Sequence, residues 1–486
     1  MSVRSYSFLF IMFCLPSLIF ADNGIAKDWS QKYPIEKDIP GPYSYDSISQ
    51  KNYKGITLNI LTHEKPVMGE PTQIHAGQFE ELTGAKINIK FVPFGKLYQE
   101  LMWGLRKKKY DIVFGGSLWL SDIYPHLEPL PEKMLDSLQF RDIIEYYKRL
   151  SRHGDHYYLV PIDGDRHYLQ YRRDLLENPE YKSEFMQKYK KEPELPGTWK
   201  DLAVIAGFFN GKKIGNGKTV FGMAEITKKD DLLFSQFIKR AAPYAKHPDV
   251  KGGFYFELKT MKPLINTPGF VEALKDFVAM RKFYPPGGDN WGLWDVIQSF
   301  GGGQTVFSDS WDDAFIQAME PGSHIRDKVA ANISPGSRKV WNRNTGKWDE
   351  FPNINYAPYI AWGWTSAVSE NSPHKEAAFD FLGFFGNEAN HASDLLIGRY
   401  GVNPFRNSDL DSGFWTKHAG WDKDVAVSYT QTFVRMNEIG NKVFDLRIHK
   451  AGLYMNALNV GGQSIGGSQH TAEIPRRRCK GMGKTE

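Results

Sequence analysis

Between Gly55 and Ser117 the chain switches repeatedly between two hydrophobic periods, and that alternation restricts it to one kind of sheet. Ile56-Thr57-Leu58-Asn59-Ile60-Leu61 alternates apolar and polar residues as a strand does. Thr72 to Leu82 carries helical spacing and stops at Thr83-Gly84, where glycine supplies the left-handed C-cap. Lys86 to Val92 alternates again, Leu97 to Arg106 reads as a second helix, and Tyr110-Asp111-Ile112-Val113-Phe114 as a short strand running into Gly115-Gly116-Ser117. Strand, helix, strand, helix, strand predicts an α/β fold with a parallel sheet covered by helices. Such sheets bind ligands beyond the carboxyl ends of their strands. Those ends are Thr62-His63-Glu64-Lys65 and Gly116-Ser117-Leu118-Trp119.

The chain has 486 residues, enough for two lobes. Helices are expected around Thr198–Phe209, Leu232–Ala242 and Pro268–Phe283, with a turn at Gly211–Thr219 before a strand at Val220–Met223. Gln304-Thr305-Val306-Phe307 reads as a strand delivering Ser308-Asp309-Ser310-Trp311. Trp362-Gly363-Trp364-Thr365 opens another, and Ser372-Pro373 is the expected cap of an amphipathic helix through Phe385.

At the N-terminus, Arg4 precedes an apolar run from Phe8 to Phe20, too short to span a bilayer stably. It reads as a secretory signal cleaved near Ala21, with an exported, periplasmic chain starting near Asp22. Residues 22–54 read as a polar, Pro-rich arm. The only cysteines are Cys14, inside that signal, and Cys479, in the tail, so no disulfide, thiol chemistry or cysteine–zinc site is expected in the body. Net charge is +5 and no basic stripe suits a nucleic acid; Arg106-Lys107-Lys108-Lys109 reads as a solvated helix end. His153 and His156 stand in a Gly-Asp loop, not at metal-ligand spacing on a helix. Gly217-Lys218-Thr219 lacks the first glycine of a phosphate loop. Aromatic residues make up 14% of the chain, including 13 Trp and 24 Tyr, an excess suited to stacking on flat apolar faces.

Several segments in order carry a family resemblance. They are Tyr110-Asp111-Ile112-Val113 followed by Trp119-Leu120 and Leu127-Glu128-Pro129-Leu130; Tyr158-Leu159-Val160-Pro161 leading to Tyr171-Arg172-Arg173-Asp174-Leu175; Pro196-Gly197-Thr198-Trp199; Ser308-Asp309-Ser310-Trp311; Ser372-Pro373-His374-Lys375-Glu376-Ala377; and Gly401-Val402-Asn403-Pro404-Phe405-Arg406. Over about 350 residues the chain resembles the extracellular solute-binding proteins of bacterial ABC importers, in the sugar-binding group that includes maltose-binding protein. The resemblance implies a two-lobe periplasmic binding protein fold of the type II kind. Its ligand cleft lies between lobes joined by several crossings, placed near Arg166–Tyr171, Gly363–Ala367 and Asn403–Leu410. The lobes are expected as residues 55–166 and 366–405 for the first, and 167–365 and 406–466 for the second. The resemblance further implies a carbohydrate ligand, a membrane permease as partner, a monomer, and neither cofactor, metal nor catalytic residues. It breaks after Gly461: residues 467–486 are Gly- and Arg-rich where the family ends in a charged helix. With suitable codons a one-base frame shift restores such a helix, which resequencing the gene would test.

A pyranose offers apolar faces and a rim of hydroxyls, so its binder needs aromatic plates plus carboxylates, amides or arginine. The expected ligand-binding residues are His63, Glu64, Trp119, Asp163, Asp165, Trp311, Asp312, Trp362, Trp364 and Arg399. Each has a plainer alternative: core packing for the tryptophans, turn formation for Asp163 and Asp165, a surface ion pair for Arg399. Of Asp309 and Asp312, one is expected to accept a hydroxyl and the other to cap a helix. Trp291 and Trp294 lie in an exposed-looking loop. The rival function is a secreted glycoside hydrolase, which needs two carboxylates across the cleft, such as Asp163 or Asp165 against Asp309. A third reading keeps the fold and changes the ligand to a polyamine, a glycerol phosphate ester or iron.

Overall fold

The computed structural model describes residues 40–461, apart from 216, 230, 231, 362 and 400. The expected signal, Cys14, Trp362 and the tail with Cys479 lie outside the described residues. The strands that position the site are β1 (Thr57–His63), β2 (Lys86–Val92), β3 (Ile112–Gly116), β4 (Val160–Pro161), β5 (His167–Arg172), β6 (Lys212–Lys213), β7 (Thr219–Ala224), β8 (Thr305–Trp311), β9 (Val329–Asn332), β10 (Tyr359–Ile360), β11 (Trp364–Val368) and β12 (Val443–Phe444). The helices used below are α1 (Gly69–Thr83), α2 (Phe94–Arg106), α3 (Trp199–Phe209), α4 (Leu233–Ala245), α5 (Asp313–Ala318), α6 (Lys375–Phe385), α7 (Glu388–Ile397), α8 (Lys423–Glu438) and α9 (Ala451–Gly461).

Two sheets organise two lobes. The first has strand order β2-β1-β3-β11-β4. β1 runs parallel to β2, with His63 opposite Val92, and parallel to β3. This is the sheet the alternating N-terminal pattern predicts, with β3 two residues later than expected. α1 closes on Gly84, whose φ of 75° is the left-handed cap glycine tolerates without a Cβ penalty. Residues 40–54 are no free arm. Tyr43, Ile48 and Tyr53 are buried, and the Tyr53 hydroxyl donates to Asp380 on α6 at 2.7 Å. Three aromatic or aliphatic residues in a polar segment suffice to anchor it. Ser372 is not a cap for α6 either: its hydroxyl donates to the Asp111 carboxylate at 2.6 Å, and α6 starts after His374 with no side-chain cap.

The second sheet has order β9-β5-β8-β7-β6. β5 and β8 are antiparallel, with Trp311 opposite His167, and every residue of both is buried. Strands buried on both faces need helices on both; α8 packs on β9 and α3 on β7. Thr198 and Asp201 form the reciprocal capping box that starts α3. The expected turn before β7 is a hairpin, with β6 paired antiparallel to it. Under β8, α4 brings two buried cations to two buried carboxylates, Lys239 to Asp309 at 2.8 Å and Arg240 to Glu225. The Arg240 guanidinium also stacks 3.5 Å from the Trp199 ring centroid.

The chain crosses between the lobes beyond β4, between β10 and β11, and again beyond Asp409. Trp364 and Thr365 pair with Gly116 and Gly115, so both belong to the first lobe and the boundary drawn at 365 moves ahead of Trp364. The boundary at 405 moves later. Arg406 donates to the Gly386 carbonyl, and Asp409 pairs with His391 on α7 at 2.8 Å, so these residues stay with the first lobe. The last described helix touches both lobes. Asn459 accepts from the Phe234 N–H of α4 at 2.8 Å, and α9 also packs on Ser117–Trp119.

Gly164 sits where the first crossing passes the segment that leads to the third. Its N–H donates to Asn403 at 3.1 Å, and a Cβ there would run into the Pro404 carbonyl and Phe405. Replacing Gly164 with Ala should lower the urea midpoint by the equivalent of about 1–3 kcal/mol, the usual cost of overpacking. An unchanged midpoint would show that the crossings yield to one methyl group.

Candidate functional site

Three carboxylates meet where the crossings enter the second lobe. Oxygen atoms of Asp165, Asp312 and Asp313 all lie within 4.8 Å of one another. Asp165 comes from the first crossing, Asp312 and Asp313 from the turn that joins β8 to α5. The turn is tied to the crossing: the Asp312 N–H donates to the Arg166 carbonyl at 3.1 Å. Asp312 precedes α5 but makes no side-chain cap bond. One oxygen of Asp165 faces the Gly363 N–H at 3.4 Å and one of Asp312 faces the Arg166 N–H at 3.5 Å, both long. Asp312 Oδ2 is buried with no hydrogen-bond partner.

Burial is the main force on these groups. It drives Asp165 and Asp312 well above the ordinary carboxylate range, and neighbouring carboxylates add to the shift. Asp313 is pushed up to about 6 by burial. Arg166 opposes the rise at Asp312, yet its guanidinium is directed elsewhere. Nε donates to Tyr147 at 3.2 Å, Nη1 to Asn437 at 3.1 Å, and the plane lies 4.3 Å from the Phe433 centroid.

Asp163 has a different task. Its Oδ2 accepts the Trp364 N–H at 3.2 Å and its Oδ1 the Asn403 N–H at 2.8 Å, so both oxygens fasten backbone and neither is directed at a ligand. Burial, then the charge of Asp313, raises it to about 7.

Aromatic side chains flank the carboxylates on each lobe. On the first, His63 at the end of β1 lies 5.4 Å from the Trp364 ring at the start of β11, with Phe94 6.1 Å from both. On the second, Trp311 at the end of β8 lies 3.9 Å from His167, and His167 lies 5.5 Å from Tyr359. Both ring nitrogens of the buried His167 lack partners, and burial followed by the charge of Lys239 holds the ring neutral. Trp311 also packs on Ala224, Ile226 and Val296, with Trp291 against the same cluster.

The expected site residues thus separate. Asp165, Asp312, Trp311, Trp364 and His63 gather around the crossings. Glu64 is exposed beside them. Trp119 is buried at the end of β3, 5.2 Å from Tyr98 and under α9. Arg399 is ion-paired with Glu70 at 2.6 Å and nearly half exposed, the plainer of its two readings. Asp309 is ion-paired inside the second lobe and accepts from Ser334. Trp294 is exposed. His167, Asp313, Phe94 and Tyr359 were not singled out from sequence. Asp313 adjoins Asp312 in a Trp-Asp-Asp run, which is the one signal that pointed to it.

The sequence profile of the bacterial extracellular solute-binding proteins matches residues 65–392. This chain belongs to that family. Members bind solutes and do not transform them, so the two-lobe receptor stands and the hydrolase reading falls. Solved structures of similar fold agree with the architecture. A solute-binding protein of an ABC transporter from Agrobacterium radiobacter K84, in complex with ribitol, is 18% identical over 88% of this chain and 98% of its own, with a TM-score of 0.67. The maltose-bound MalE3 of T. maritima is 16% identical over 88% and 99%, with a TM-score of 0.66. The sugar-binding protein MalE of Xanthomonas citri is 18% identical over 88% and 98%, with a TM-score of 0.60.

The sign of a pH effect in this solute-binding protein follows from Asp163. Below its unfolded-state value of about 3.9, it is protonated in both states. As pH rises toward about 7, the unfolded chain loses the proton while the folded chain keeps it, so stability falls with rising pH. Asp163→Asn should therefore differ from wild type by a constant offset plus a term that grows in its favour from pH 4.5 to 7 and then levels off. Thermal melts across that range check this; a difference independent of pH would contradict it.

Proposed function

We propose that this protein is the periplasmic receptor of an ABC importer, that it holds a carbohydrate between its lobes, and that it delivers the sugar to a membrane permease. The observation that carries the reading is the pairing of two aromatic walls with buried carboxylates at the lobe crossings. Rings such as Trp311 and Trp364 suit the C–H faces of a sugar, and carboxylates accept its hydroxyls. The similar structures whose ligands are ribitol and maltose support the class. The N-terminal run from Phe8 to Phe20 supports export.

Contacts on both lobes give capture a means of closing the molecule, because a ligand bridging them favours the closed arrangement. The lobes already touch here: a Cβ on Gly398, after α7, would meet Ile316 of α5. A phosphate ester would call for cations and helix N-termini at the crossings, whereas the cluster there is made of carboxylates.

A thermal-shift screen with ribitol, D-mannitol, D-tagatose and maltose tests the proposal, with chromatography of the sugar afterwards. At least one of these should raise the melting temperature by several degrees without being consumed, since a ligand specific to the folded state stabilises it by mass action. Trp311→Ala or Trp364→Ala should weaken that sugar at least tenfold, equivalent to about 1.4 kcal/mol. A shift only with glycerol phosphate, or none at all, would remove carbohydrate as the ligand.

A further inference from the structure

The cluster at the crossings has more carboxyl groups than neutral sugar hydroxyls require. Asp165, Asp312 and Asp313 converge within 4.8 Å, and Asp163 lies close enough to add to the repulsion at Asp165 and Asp312. Arg166, the cation beside Asp312, points its donors at Tyr147 and Asn437. Asp312 Oδ2 has no partner although the residue is wholly buried. Two further buried hydroxyls, those of Tyr168 and Tyr429, also lack partners, and both feel the charges of Asp312 and Asp313. Buried carboxylates in such company are neutralised by protons or by a cation.

Resting on the carbohydrate reading of this same cleft, we infer that the solute is an amino sugar whose primary ammonium group is held by Asp165, Asp312 and Asp313. The spacing admits that group. An ammonium has three N–H donors and no acceptor. With N···O distances near 2.8 Å along tetrahedral directions, its three acceptors stand about 4.6 Å apart, within the observed limit. A calcium ion instead takes about six to eight oxygens, and Asp165 and Asp312 each already turn one oxygen toward a backbone N–H. The aromatic walls suit the rest of the molecule, since a sugar ring stacks on Trp311 or Trp364 while its amine enters the acidic corner. Binding then replaces shared protons by the ligand's own charge. Capture should weaken as pH falls and the carboxylates protonate.

Isothermal titration at pH 7.5 with D-glucosamine and fully deacetylated chitobiose, against glucose, maltose and N-acetyl-D-glucosamine, tests this. The amines should bind at least tenfold tighter than their neutral counterparts, and Asp312→Asn should abolish that preference. Ligand-free Asp312→Asn should melt no lower than wild type, because it removes an unpaired buried carboxylate. If it fails to fold, Asp313→Asn, at a half-buried position, serves instead. Equal binding of neutral and amino sugars would overturn the inference and leave the carbohydrate reading standing. A melting shift with calcium alone would overturn it in favour of a metal site. Binding of spermidine without any sugar, or of none of these compounds, would overturn both.

Discussion

A single buried carboxylate holds the crossings together. Asp163 leaves the first-lobe sheet beyond β4 and accepts one backbone N–H from Trp364, at the head of β11, and another from Asn403, on the segment that leads to the third crossing. Segments more than two hundred residues apart in sequence are fastened to one side chain. The Ile162 and Asp163 N–H groups return the bond by donating to the Trp364 carbonyl. A carboxylate accepting two backbone donors normally has a low pKa, but here burial and Asp313 outweigh them. The clamp therefore works under electrostatic tension supplied by the acidic cluster next to it.

That tension links architecture to binding. The residues that pin the lobes and those proposed to face the solute are neighbours: Asp163 and Asp165 are two apart, and Trp364 is clamped through its backbone while its ring lies beside His63. The carboxylate whose charge Asp163 feels is Asp313, a member of the acidic cluster. In the second lobe, Lys239 of α4 balances Asp309 on β8, and Arg240 of the same helix balances Glu225 beyond the end of β7.

Much of this was legible in the sequence because periodicity is local. The alternation at Thr57–Leu61 and Lys86–Val92, the Gly84 cap and the helix beginning around Thr198 each follow from a few adjacent residues, and the structure has all of them. The site was legible only in part. Trp311 and Asp312 stand at the end of an expected strand and Asp165 at an expected lobe crossing, and those places nominated them. Asp163 and Asp165 could not be told apart by sequence, since one accepts two backbone N–H groups from distant segments and the other faces only one, at 3.4 Å. Nor could Arg399 be separated from the cleft before Glu70 was seen beside it. His167 reads as one more residue of a buried strand; only the absence of partners for both its nitrogens makes it notable.

Backbone hydrogen exchange tests the role of Asp163 most directly. If its carboxylate fastens the crossings, the amides of Trp364 and Asn403 should exchange as slowly as those in the middle of β3. In Asp163→Ala those two should accelerate by orders of magnitude while β3 itself stays protected. Fast exchange at both in wild type, or protection unchanged by the substitution, would contradict the account.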